Sequence, residues 1–104
     1  MKNDLELHQR VILSVCRAML GEVFQALRSV QVSEDEDCKK ICIFFVCERA
    51  LELNEIESVD SIEAEVLGDF YNEYAILSKV VISALPERPN LGWSVYWRRE
   101  RIGE

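Results

Sequence analysis

The residues best suited to nucleophilic or metal chemistry are four cysteines, Cys16, Cys38, Cys42 and Cys47, and a single histidine, His8. A thiolate nucleophile needs a base beside it, and no serine, aspartate or asparagine spacing supports pairing His8 with any of the four. The spacing Cys38-x3-Cys42-x4-Cys47 matches no common zinc knuckle, and His8 is far away along the chain. Three of the cysteines fall in or beside one strand-like run, where successive side chains alternate between faces, so a two-disulfide framework is not expected. Free thiols and a cytoplasmic setting follow. The four glycines, Gly21, Gly68, Gly92 and Gly103, are isolated, which leaves no phosphate loop or dinucleotide turn. A thiol enzyme built on Cys38, Cys42 or Cys47 needs a positive environment to depress the thiol pKa, and their neighbourhood is acidic. The expectation is a protein that is not an enzyme and takes no cofactor or metal.

That acidity is the chain's strongest feature. Residues 34 to 73 hold thirteen acids against Lys39, Lys40 and Arg49, a balance of −10 in a chain whose net charge is −7. Such a surface repels nucleic acid and anionic lipid and attracts a basic partner. Solubility alone is the plainer reading of the same charge. The candidate partner-binding acids are Glu34, Asp35, Glu36 and Asp37 in one run, and Glu57, Asp60, Glu65 and Asp69 further on.

The elements that must position these residues are legible from periodicity. Leu5, His8, Ile12, Val15, Cys16, Met19 and Leu20 recur at helical spacing, with Asp4 as N-cap and Gly21 as stop, predicting a helix over 5–20. His8 reads as a packed histidine at the edge of that stripe. Alternation over 26–32 and the β-branched and aromatic run 39–47 predict two strands, joined at the acidic run 34–37 as a hairpin turn. Asn54 followed three residues later by Glu57 reads as a capping box opening a helix over 55–69, with Ile56, Val59, Ile62, Val66, Leu67 and Phe70 on one stripe. Strands over 74–85 and 93–99 complete the order αββαββ. The predicted fold is α+β, a single domain over 1–104: one four-stranded mixed sheet with both helices on one face and strands two and three parallel. No apolar run is long enough for a membrane span, and the start lacks the pattern of an export signal.

Within this frame Glu63 falls inside the apolar arc of the second helix, so its carboxylate must be paired, hydrogen-bonded or protonated. One reading has it reach Arg28 or Arg98; the other makes it an acid in a shallow cleft. The outer face of the same helix, with Glu57, Ser61 and Glu65, suits either solvent or a basic protein. On the last strand Trp93, Val95 and Trp97 are expected to share the face under the helices, leaving Tyr96 on the open face as an interface candidate. The tail Arg98-Arg99-Glu100-Arg101 is too short and mixed in sign to make a nucleic-acid groove.

With the order αββαββ, the segments Glu63-Ala64-Glu65-Val66-Leu67-Gly68-Asp69-Phe70 and Val95-Tyr96-Trp97-Arg98-Arg99-Glu100 give the chain a likeness to a known group. It resembles immunity proteins of bacterial contact-dependent growth inhibition and related polymorphic toxin systems, found beside secreted toxins. The resemblance implies a cytoplasmic antitoxin that binds the C-terminal toxin domain, commonly a nuclease acting on tRNA or DNA, and keeps it from its substrate. It carries no functional residue across by position beyond the acidic helix segment. The alternative is a small regulatory or adaptor subunit that docks a cellular protein on the sheet face around Tyr96.

Overall fold

The computed structural model describes residues 4–100, with side chains from Glu6 onward; Arg101 and the side chains of Asp4 and Leu5 lie outside that range. The elements are α1 (Asp4–Ala18), β1 (Leu27–Asp35), β2 (Lys40–Cys47), α2 (Leu53–Asp69), β3 (Ala75–Ile82) and β4 (Trp93–Trp97). They build one sheet in the order β3-β2-β1-β4, with β1 antiparallel to both neighbours and β2 parallel to β3. The fold is the expected α+β arrangement with both helices on one face.

The core lies between that face and the helices. Val30, Val32, Ile41, Ile43 and Phe45 come from the sheet, Leu7, Val11, Val15 and Ala18 from α1, and Val59, Ile62 and Val66 from α2, closed by Phe70. Each fully buried aliphatic side chain among them contributes roughly 1.5–3 kcal/mol. The buried arc of α1 therefore runs through Leu7 and Val11 rather than Cys16 and Leu20, which are exposed, Leu20 at 77%. On α2 the arc is turned by one residue: Glu55 is buried, while Ile56 and Leu67 are 43% and 44% exposed.

Local chemistry explains the turn of α2. The helix starts earlier than expected, with Glu52 at the N-cap and Glu55 accepting the Glu52 N–H at 2.8 Å, so Asn54 and Glu57 are not its capping pair. The Glu55 carboxylate also takes the Arg49 guanidinium as a fork at 2.8 and 2.9 Å. Arg49 and the Glu52 N–H hold the Glu55 carboxyl below its ordinary pKa, an arrangement that lets a charged residue sit under the first turn. At the other hairpin end, Glu34 and Asp35 still belong to β1; the turn proper is Glu36–Lys39, with Lys39 at φ 54° and Asp35 Oδ1 accepting the Cys38 N–H.

The connection from β3 to β4 has to cross the sheet, because these strands occupy opposite edges. It passes over the face away from the helices. Gln31, almost fully buried there, donates to Pro89 O at 2.9 Å and accepts the N–H groups of Leu91 (2.7 Å) and Gly92 (3.2 Å). Gly92 lies so close to β1 that an added Cβ would meet Val32 O at 2.3 Å. Gly92→Ala is expected to push this connection off β1 and cost about 1–3 kcal/mol. Thermal denaturation reads it directly, and an unchanged melting temperature would contradict the packing described.

A bulge at Val95 decides the faces of β4. Tyr96 pairs with Val30 but Ser94 pairs with Gln31, so one residue is extra and the alternation shifts. Trp93 and Trp97 consequently do not share a face. Tyr96 lies on the core side, half-buried against the cluster, and is not the free docking residue expected.

Candidate functional site: an acidic cleft and an acidic helix face

The start of α1, the end of β1 and the start of β4 meet around an open cleft of about 900 Å3. Its walls carry Glu34, Asp35, Glu36 and Asp37 on one side and His8, Gly92 and Trp93 on the other. His8 donates from Nδ1 to Glu34 Oε1 at 2.7 Å, and its ring lies 4.6 Å from that of Trp93. The indole is left 63% exposed at the mouth. Asp35 has its carboxyl held below the ordinary value by the Cys38 backbone and thiol, so it is charged at neutral pH. A cleft lined by carboxylates beside an exposed indole is chemically suited to a cationic side chain.

The second cluster is on α2. This helix carries Glu55, Glu57, Asp60, Glu63, Glu65 and Asp69 and not one lysine or arginine. Glu57, Asp60 and Glu65 are exposed on its outer side. Asp69 differs: its Oδ2 accepts from Ser14 Oγ at 2.5 Å and pairs with Arg17, tying α2 to α1. Its charge is spent inside the fold. Of the nine expected contact residues, then, four line the cleft, three stand free on the helix, Asp69 is engaged and Tyr96 is packed.

Glu63 is half-buried, but neither arginine proposed for it is available. Arg28 is fully buried and binds Glu100, by Nε at 2.7 Å and a second nitrogen at 3.0 Å, while Arg98 reaches Glu48 and Glu100. Both carboxylate partners are remote in sequence from Glu63, and no local spacing marks the Arg28–Glu100 pair. Nor did local spacing join His8 and Trp93 to the acidic run; only the tertiary fold brings them together.

Two of the thiols are shifted away from the thiolate form. The Cys38 thiol is pushed up by the neighbouring Asp35 carboxylate, and burial pushes Cys47 up to about 11. Both shifts run against thiolate chemistry. Among the described residues no group of three His, Cys, Asp or Glu side chains is placed to hold a metal ion, and no helix is long and apolar enough to cross a membrane.

The fold displays acids on two surfaces, and the class to which it belongs is that of immunity proteins, which neutralise a toxin. The chain belongs to the MafI2 immunity protein family, whose model matches residues 8–100. No curated protein matches it.

Proposed function

We propose that this immunity protein works in the cytoplasm against a polymorphic toxin of the contact-dependent type, binding a basic nuclease domain and covering its substrate groove. The observation that carries the reading is the helix α2, with six acids, no basic residue, and Glu57, Asp60 and Glu65 presented to solvent. A nuclease acting on tRNA or DNA must offer basic residues to phosphate, and charge complementarity to an acidic protein is greatest at that groove. The carboxylates Glu34, Asp35, Glu36 and Asp37 beside Trp93 offer a second seat, suited to an arginine or lysine of the same partner. The adaptor alternative has lost its docking residue, since Tyr96 packs on the core side.

Occlusion makes binding of toxin to substrate and to immunity protein mutually exclusive. With a catalytically inactive cognate toxin domain, added immunity protein should release bound RNA or DNA in proportion to the complex formed. A stable ternary complex of toxin, immunity protein and nucleic acid would overturn occlusion. Ionic strength must be constant, because screening weakens both equilibria.

A further inference from the structure

We propose that the outer edge of β3 is a docking strand for the toxin, which adds an extended segment to the sheet there and turns its basic residues toward Asp60 and Glu63 of α2. This rests on the immunity reading above and specifies which surface of the protein the partner takes.

The backbone supplies the first part. Ala75 N–H bonds Lys39 O and Ser83 N–H bonds Cys47 O, eight residues apart on both strands, so the odd-numbered residues of β3 face β2. The amides and carbonyls of Ile76, Ser78, Val80 and Ile82 therefore point outward, and among the described residues no strand pairs with them. The pairing with β2 is regular over all eight residues, without a bulge. Natural edges are normally blunted by shortness, proline, bulges or charge. The opposite edge fits that rule, since β4 has five residues and a bulge. The β3 edge has a single charge, Lys79, and no proline.

The side chains supply the second part. Val80 is 42% and Ile82 53% exposed, on the same face of the sheet as α2. Above them runs a flank of the helix. At 100° per residue, Glu63, Ile56, Leu67 and Asp60 lie about 40–100° round from the buried Val59. Asp69, on the other side of the same arc, contacts α1, so this flank faces away from α1 and over the β3 edge. Ile56 and Leu67 therefore share this flank with Asp60 and Glu63, on the side of the sheet from which Val80 and Ile82 project. Main-chain bonding supplies affinity in strand addition, and alternate side chains supply choice of partner. Exposed apolar side chains beside an acidic helix flank favour a strand that alternates apolar and basic residues. A second copy of this chain is the poorer occupant, because pairing two β3 edges in one continuous sheet lays the acidic flank against its own image.

The experiment is hydrogen exchange on the protein alone and with its cognate toxin domain, alongside Val80→Pro. The Val80 N–H points outward, so proline there removes no bond within the fold and is tolerated at such an edge. Exchange at Ser78 and Val80 should slow at least tenfold on binding, and V80P should weaken binding at least tenfold while melting near the wild-type temperature. If the toxin is bound and neutralised but these amides exchange as before and V80P binds normally, docking at β3 is overturned and the immunity reading stands. If no binding occurs, both fall. Slow exchange in the free protein together with a dimer mass by light scattering would assign the edge to a second copy and overturn the proposal.

Discussion

Glu100→Ala is expected to destabilise this protein by about 3–5 kcal/mol, a large part of the stability of a domain this size. The reason is what remains behind. Arg28 is 0% exposed, and its guanidinium is held by the Glu100 carboxylate and by Ser83 O at 2.8 Å. Alanine leaves a buried cation with one neutral acceptor in place of a bidentate ion pair. Glu100 also receives Arg98 at 3.2 Å and stands 3.8 Å from Arg88, so one carboxylate gathers the start of β1, the end of β4 and the connection between β3 and β4. A drop in melting temperature on the order of 15 °C follows from the usual entropy of unfolding. Replacing Arg28 and Glu100 together by methionine should recover most of it, because neither charge is then buried alone. A melting temperature within about two degrees of wild type for E100A would show that the pair is not the clamp described.

The same pair sets a pH dependence of known sign. Arg28 holds the Glu100 carboxyl below its ordinary pKa of 4.5, so the native state favours the charged form more than the unfolded chain does. Its contribution is complete above the ordinary carboxylate range and is lost as pH falls through the lowered value. Glu55, lowered by Arg49, adds in the same direction. Acid unfolding monitored in E100Q should therefore begin from lower stability and change less with pH than in the wild type.

Elements and their order were legible in the sequence because periods of two and 3.6 residues report burial directly, and the parallel β2–β3 pairing followed from the intervening helix. What was not legible is how faces and partners are resolved over distance. One extra residue at Val95 moves Tyr96 to the core side and parts Trp93 from Trp97, since a shift of one in a strand exchanges its faces. Helix α2 offers Ile56 or Glu55 to the core at almost equal angular cost, and the choice went to Glu55 because Arg49 and the Glu52 N–H receive its charge. The acidic run 34–37 was visible as charge, yet the cleft needs His8 and Trp93, contributed from opposite ends of the chain. Asp69 looked identical to Asp60 along the sequence; only the packing of α1 sets it against Ser14 and Arg17.

Reversal of Glu57, Asp60 and Glu65 together to lysine is the second change with a large expected effect, and it acts on binding rather than folding. All three are exposed, and surface substitutions of this kind usually move stability by less than about 0.5 kcal/mol each. At an interface with a basic protein the same reversals juxtapose like charges, each costing on the order of 1 kcal/mol or more. Together they should weaken the complex at least about 100-fold, with much of the loss in the association rate at low salt. The measurement is the dissociation constant, by calorimetry at fixed ionic strength, of wild type and triple variant for the cognate toxin domain. A loss of two orders of magnitude with the melting temperature preserved is the result predicted; equal affinity for both proteins would contradict an acidic α2 as the surface that holds the toxin.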